Sequence, residues 1–282
     1  MENNKKVFYI LLIPVLLWLV LLIILPHIDL LVSSFKPNSG ADTWTLENYS
    51  AFFADKIYWK TFVNTTLFAI GVTLLAFVVS FPIAFYLTKV VSRKYASFLT
   101  LLLLIPLWIG ELVTIYGWVT LLGDNGVINE FLKYIGIIDK PLHLLYNNIS
   151  MTIGLLYMSM LFMIVPIMTT LESLDDSMIE AASDLGASKW TIFRRIVIPH
   201  SKPGIINGSI IVFMLVIGDY VAPNILGGKS SLWFTEQIYN QFLSTFNWNQ
   251  GAAFGFLLLA ISSITIWMAL KLSGQKLDKV GE

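Results

Sequence analysis

Six stretches of the chain are apolar for long enough to cross a lipid layer, at about residues 7–31, 61–88, 97–122, 150–171, 204–226 and 251–272, with polar segments between them. About 20 helical residues traverse the hydrocarbon core. Lipid offers the backbone no hydrogen-bond partner outside its own helix or a closed barrel. The pattern therefore predicts an all-α membrane protein with six transmembrane helices. Lys5 and Lys6 precede the first stretch as they would a signal peptide, but the run from Val7 to Leu25 is too long and no small-residue cleavage site follows. It is expected to stay as an anchor.

Pro14, Pro82, Pro106 and Pro166 fall inside four of the spans, where a missing N–H predicts kinks. Gly204 with Gly208, and Gly251 with Gly255, form small-x-x-x-small faces that let helices approach closely. Between the third and fourth spans, Val127, Ile128, Phe131, Leu132 and Ile135 share a helical face and predict an interfacial helix. Trp44, Tyr49, Tyr58 and Trp59 in the first loop suit an aromatic belt.

Composition agrees with this reading. Of 282 residues, 56% are hydrophobic and 13% charged, against about 25% charged in soluble domains. The net charge is zero and no long basic run exists, so nothing points to nucleic acid. Cysteine is absent, which excludes disulfides and thiolate chemistry, and His27, His143 and His200 are too scattered for a metal cluster. With the N-terminus inside, that side carries twelve lysines and arginines and the other side six. The excess predicts both termini in the cytoplasm, and Lys89, Arg93 and Lys94, in one short loop without an acid, are its cleanest sign.

The segment between spans four and five, 172–203, predicts two short helices. Ser177 and Glu180 have capping-box spacing, with Asp175 and Asp176 just ahead at the positive end of the dipole. Gly186 stands where a C-terminal glycine belongs. A second helix is expected after Ser188, with Trp190, Phe193 and Ile196 on one side, Lys189, Arg194 and Arg195 around the other, and a stop at Pro199.

Glu180-Ala181-Ala182, Gly186, Ile196 and Pro199 resemble the EAA loop, EAA-x3-G-x9-I-x-L-P, of ABC-importer permeases, with Ile198 in place of leucine. The resemblance implies the type I permease fold and a coupling helix docked on a separate ATPase, with Glu180, Ala181, Ala182, Asp184, Gly186, Ala187 and Ser188 as its contact. It also implies a division into an N-terminal helix and first external loop (1–60), a permease core (61–272) and a cytoplasmic tail (273–282). No nucleotide site is visible. Gly228-Lys229-Ser230 imitates the end of a phosphate loop, but Pro223 replaces the leading glycine. No catalytic set appears either, so the chain is expected not to be an enzyme.

Two carboxylates, Glu111 and Asp219, interrupt apolar sequence, flanked by Trp108, Tyr116 and Trp118 and by Tyr220. Ionisable groups at such depth line an aqueous path or are held by backbone or a neighbouring subunit. An anionic, aromatic path suits an organic cation. Pro106-Leu107-Trp108, Tyr116-Gly117, Asn129 to Leu132 and Gly218 to Pro223 are similar to the first permease type of spermidine/putrescine importers, over nearly the whole chain. Many of those relatives have arginine where Thr114 stands. This implies a bacterial inner-membrane protein working with two ATPase copies that bind ATP and Mg²⁺, a second, non-identical permease and an external solute-binding protein docking on loops 32–60, 123–149 and 227–250. Relatives carrying iron, thiamine or other solutes leave the cargo open, and an ion-coupled secondary transporter is the rival reading.

Overall fold

The computed structural model describes residues 2–39, 43–228 and 232–273. Among them there is no β-strand. Five helices are long and apolar enough to cross a membrane: α1 (Leu11–Ser34), α3 (Lys56–Val90), α7 (Asn148–Glu172), α9 (Lys189–Gly218) and α11 (Trp248–Lys271). A bent pair, Lys94–Trp108 and Glu111–Tyr134, turned 99° against each other, makes a sixth crossing when the two are counted as one span. Shorter helices are α2 (Glu47–Ala54), α4 (Arg93–Leu104), α5 (Glu111–Leu122), α6 (Val127–Tyr134), α8 (Asp176–Asp184) and α10 (Phe234–Leu243).

The single third helix expected over 97–122 is thus two helices. Leu104 leads into a 3-10 turn, Ile105–Trp108, holding Pro106, and Ile109 and Gly110 are extended before α5 begins. Proline removes a donor and its ring crowds the preceding turn, and here the ladder ends rather than bends. Pro14, Pro82 and Pro166 instead lie inside continuous helices. The fifth span also differs from the expected 204–226. It is helical from Lys189 and ends at Gly218, so Pro199 does not stop it. A π turn, Phe193–Val197, ends just before Ile198 and Pro199 continue the helix, and it widens the ladder near the position that lacks an N–H.

The chain divides into two compact units. In the first, residues 1–61 and 236–261, Phe52, Tyr58 and Phe254 meet edge to face at 4.8–5.9 Å. Buried Asn48 donates to the carbonyls of Ser34 and Lys36, and Asn249 donates to Pro37 O. These bonds tie the loop after α1. The second unit, residues 62–235 and 262–282, is centred on α7 packed against α9. Buried Leu155, Met163, Ile164, Ile167 and Leu171 recur at helical spacing on α7. A Cβ on Gly204 would overlap Pro166 O, and one on Gly208 would meet Met163 Sδ at 2.9 Å. Close backbone approach replaces the hydrophobic drive that lipid does not supply. Gly255, expected to act likewise, has nothing within 4 Å. The short helix expected between the third and fourth spans forms as α6, with Val127, Phe131 and Tyr134 exposed and Asn129 buried.

Candidate functional site

The hairpin between α7 and α9 is built from caps. Asp175 Oδ1 accepts the Ser177 N–H at 2.9 Å, and this backbone bond, more than any other influence, holds the Asp175 carboxyl below the usual carboxylate range. The expected cap was Ser177. The helix starts earlier because an aspartate two residues upstream is the better acceptor at a positive helix end. Glu180 consequently takes no part in the cap and points a free carboxylate outward; it is exposed. At the other end the Ala187 N–H reaches Ala182 O at 3.0 Å and the Gly186 N–H reaches Ser183 O at 2.9 Å. This pair of bonds is a Schellman closure, and it needs Gly186 at φ +79°. Ser188 Oγ then accepts the Thr191 N–H at 3.2 Å and starts the next helix.

No residue of α8 is buried. Glu180, Ala181, Asp184, Gly186 and Ser188 are exposed, and Ala182 and Ala187 are half-buried. Met178, Leu185, 88% exposed, and Trp190 add an apolar surface to this tip. Met178 and Leu185 lie outside the EAA pattern; the sequence signal for them is two large apolar side chains seven apart in a segment that also carries Asp176, Ser177, Glu180, Ser183 and Asp184. Trp190 stacks on Phe193 at 5.7 Å, and Phe193 meets Phe81 and Phe85 of α3 at 5.5 and 6.2 Å. Ser173 Oγ and His200 Nε2 close the base at 3.0 Å.

The second region is a cavity of about 390 Å³ bounded by α5, α7 and α9, with Glu111, Leu155, Met158, Ser159, Phe162, Met214 and Asp219 in its wall. The two acids are brought together, but not from mid-helix as expected. Glu111 is the first residue of α5, after the break, and Asp219 caps the C-terminal end of α9. Asp219 Oδ1 accepts the Ala222 N–H at 3.1 Å, and its backbone carbonyl accepts the Thr235 hydroxyl at 2.6 Å. Negative charge at the rim with methylene, thioether and phenyl walls can hold an organic cation with an apolar body. Of the aromatics, Trp108 is 90% exposed and Tyr116 is exposed, and neither lines this cavity. Trp118 packs edge-on against Tyr157 at 5.4 Å, and Tyr220 is half-buried beside Asp219. Of the phosphate-loop lookalike, Lys229 and Ser230 lie outside the described residues.

Residues 7–278 match the family described as "Binding-protein-dependent transport system inner membrane component". The chain is 32% identical over 289 residues to "Spermidine/putrescine transport system permease protein PotB" of Salmonella typhimurium (strain SL1344), covering all of both chains. It is 34% identical to the protein of the same name from Escherichia coli (strain K12), covering 93% of this chain and 97% of that one. Among solved structures it is similar to a bacterial ABC transporter involved in the import of the acidic polysaccharide alginate, with a TM-score of 0.77 at 18% identity and 96% of each chain covered.

Proposed function

We propose that this chain, which belongs to the family of inner-membrane components of binding-protein-dependent transport systems, forms half of the pathway by which an ATP-driven importer takes up a small organic cation of the polyamine class. The observation that carries the cargo is the shared cavity: Glu111 and Asp219, two acids on two helices, border one space with apolar walls. A linear polyamine has the complementary form, cationic amines joined by methylenes. The curated relatives named for spermidine and putrescine support the same class.

Coupling is assigned to the hairpin. Its tip offers Glu180 to a partner's cation, Ala181 and Ala182 for close approach, and Met178 and Leu185 as apolar contact. ATP and Mg²⁺ belong to two copies of a partner ATPase, a second, non-identical permease completes the pathway, and both termini face the cytoplasm. A solute-binding protein docks on the opposite side, over loops 32–60, 123–149 and 227–250.

The test is uptake in vesicles holding the complete complex, across spermidine, putrescine, thiamine, ferric iron and an amino-acid panel. Spermidine or putrescine is expected to be taken up with ATP. Glu111→Gln and Asp219→Asn are each expected to raise the spermidine concentration needed for half-maximal uptake about tenfold, the effect of losing about 1.4 kcal/mol of charge pairing. Glu180→Lys is expected to weaken ATPase association. Stimulation by anions alone would overturn the cation path, and uptake driven by an ion gradient without ATP would overturn the class.

A further inference from the structure

We propose that Lys89, at the end of α3, is a positioning residue that fastens the second span to the hairpin. Motion delivered to the hairpin then reaches α3 directly as well as along α7 and α9. The proposal rests on the coupling role assigned above.

Lys89 Nζ donates to two acceptors at 2.6 Å each: the carbonyl of Leu174 and Oδ1 of Asp176. Leu174 lies in the short link between α7 and α8, and Asp176 is the first residue of α8. The first bond satisfies a carbonyl that has run past the end of its helix; the second is a charge-assisted pair. The side chain of Lys89 is 8% exposed and that of Asp176 is 75% exposed. A shielded ammonium must keep its acceptors, so the end of α3 and the start of the hairpin have one preferred register.

A second contact falls on the same stripe of α3. Phe81, Phe85 and Lys89 are spaced by four and share a helical face. Phe193, in the other leg of the hairpin, packs edge-on against both phenylalanines. Both legs are therefore seated on one helix that is remote from them in sequence. α8 buries none of its own residues, so these two seats, together with the Ser173–His200 contact at the base, hold the hairpin rather than its tip. Lys89 occupies a π turn, Tyr86–Val90, closed by the Val91 N–H on Tyr86 O at 3.0 Å.

A residue that only stabilised the fold would, when removed, lower the amount of assembled complex and its transport together. A positioning residue lowers transport per ATP in complex that is fully assembled. In vesicles holding the permease pair, ATPase and binding protein, Lys89→Met is expected to leave ATPase association and ATP hydrolysis in place and to cut spermidine uptake per ATP about tenfold, a typical size for a coupling energy between sites. Lys89→Arg is expected to keep most of the wild-type ratio. Combining Lys89→Met with Asp176→Asn is expected to lose no more than Lys89→Met alone, because the two changes remove one interaction. An unchanged uptake-to-ATP ratio in Lys89→Met, a loss explained by less assembled complex, or additive losses in the double variant would each overturn the proposal. A wild-type complex that transports without ATP would show instead that the underlying coupling reading is wrong, before any variant is compared.

Discussion

Substitution of Gly186 separates backbone strain from steric obstruction at the hairpin tip. Gly186 sits at φ +79°, and a Cβ built there meets nothing of its own chain within 4 Å. The intrachain cost of a side chain is thus conformational. An L-residue other than asparagine or aspartate pays about 1–2 kcal/mol for the left-handed region, with alanine at the low end and β-branched valine at the high end or above. One to two kcal/mol changes a local equilibrium by roughly 5–30-fold, and here that equilibrium lies between the closed hairpin, with its bonds to Ala182 and Ser183, and an opened one. The expected order of ATPase association, read by co-purification and by spermidine-stimulated ATP hydrolysis, is glycine, asparagine, alanine, valine. The middle pair is decisive. Asparagine is larger than alanine but tolerates the left-handed region, so alanine outperforming asparagine would show that a partner surface, and not backbone strain, makes glycine necessary.

Other outcomes follow from the packing and the assigned topology. Gly204→Leu is expected to force α7 and α9 apart, because even a Cβ overlaps Pro166 O; overpacking of this kind costs about 1–3 kcal/mol, and thermal unfolding in detergent should show it. Gly255→Ala, inside a helix with open space around the site, should leave the same transition in place or raise it slightly, because alanine lowers the unfolded chain's freedom by about 0.4–1 kcal/mol. The chain contains no cysteine, so a thiol introduced at Ser188 is the single label site; it should react with an impermeant reagent only after the cell is opened, and labelling from outside intact cells would reverse the assigned orientation.

Much of this architecture was legible because lipid restricts the choices. Apolar length located the five long spans and the bent pair, and the hairpin's end signals followed from local rules: Gly186 and Ser188 perform the closing and opening roles that their positions predicted. The misreadings have physical causes. Ile105–Gly110 carries no charged residue, so a window of uncharged residues conceals a complete break; the signal was Pro106 followed four residues later by Gly110. Pro199 reads as a stop unless a π turn is already in place, and nothing in the residue types of Phe193–Val197 announces one. Lys89 counted only as a positive charge near a span end, since its acceptors lie 85 and 87 positions away. The meeting of Glu111 and Asp219 in one cavity is likewise a product of folding: each was visible alone, and their adjacency was not.

The first crossing invites a different conclusion. From Leu11 to Ser33 no residue is buried, and most are exposed. A helix that buries none of these residues leaves its apolar girth to lipid or to a neighbouring chain.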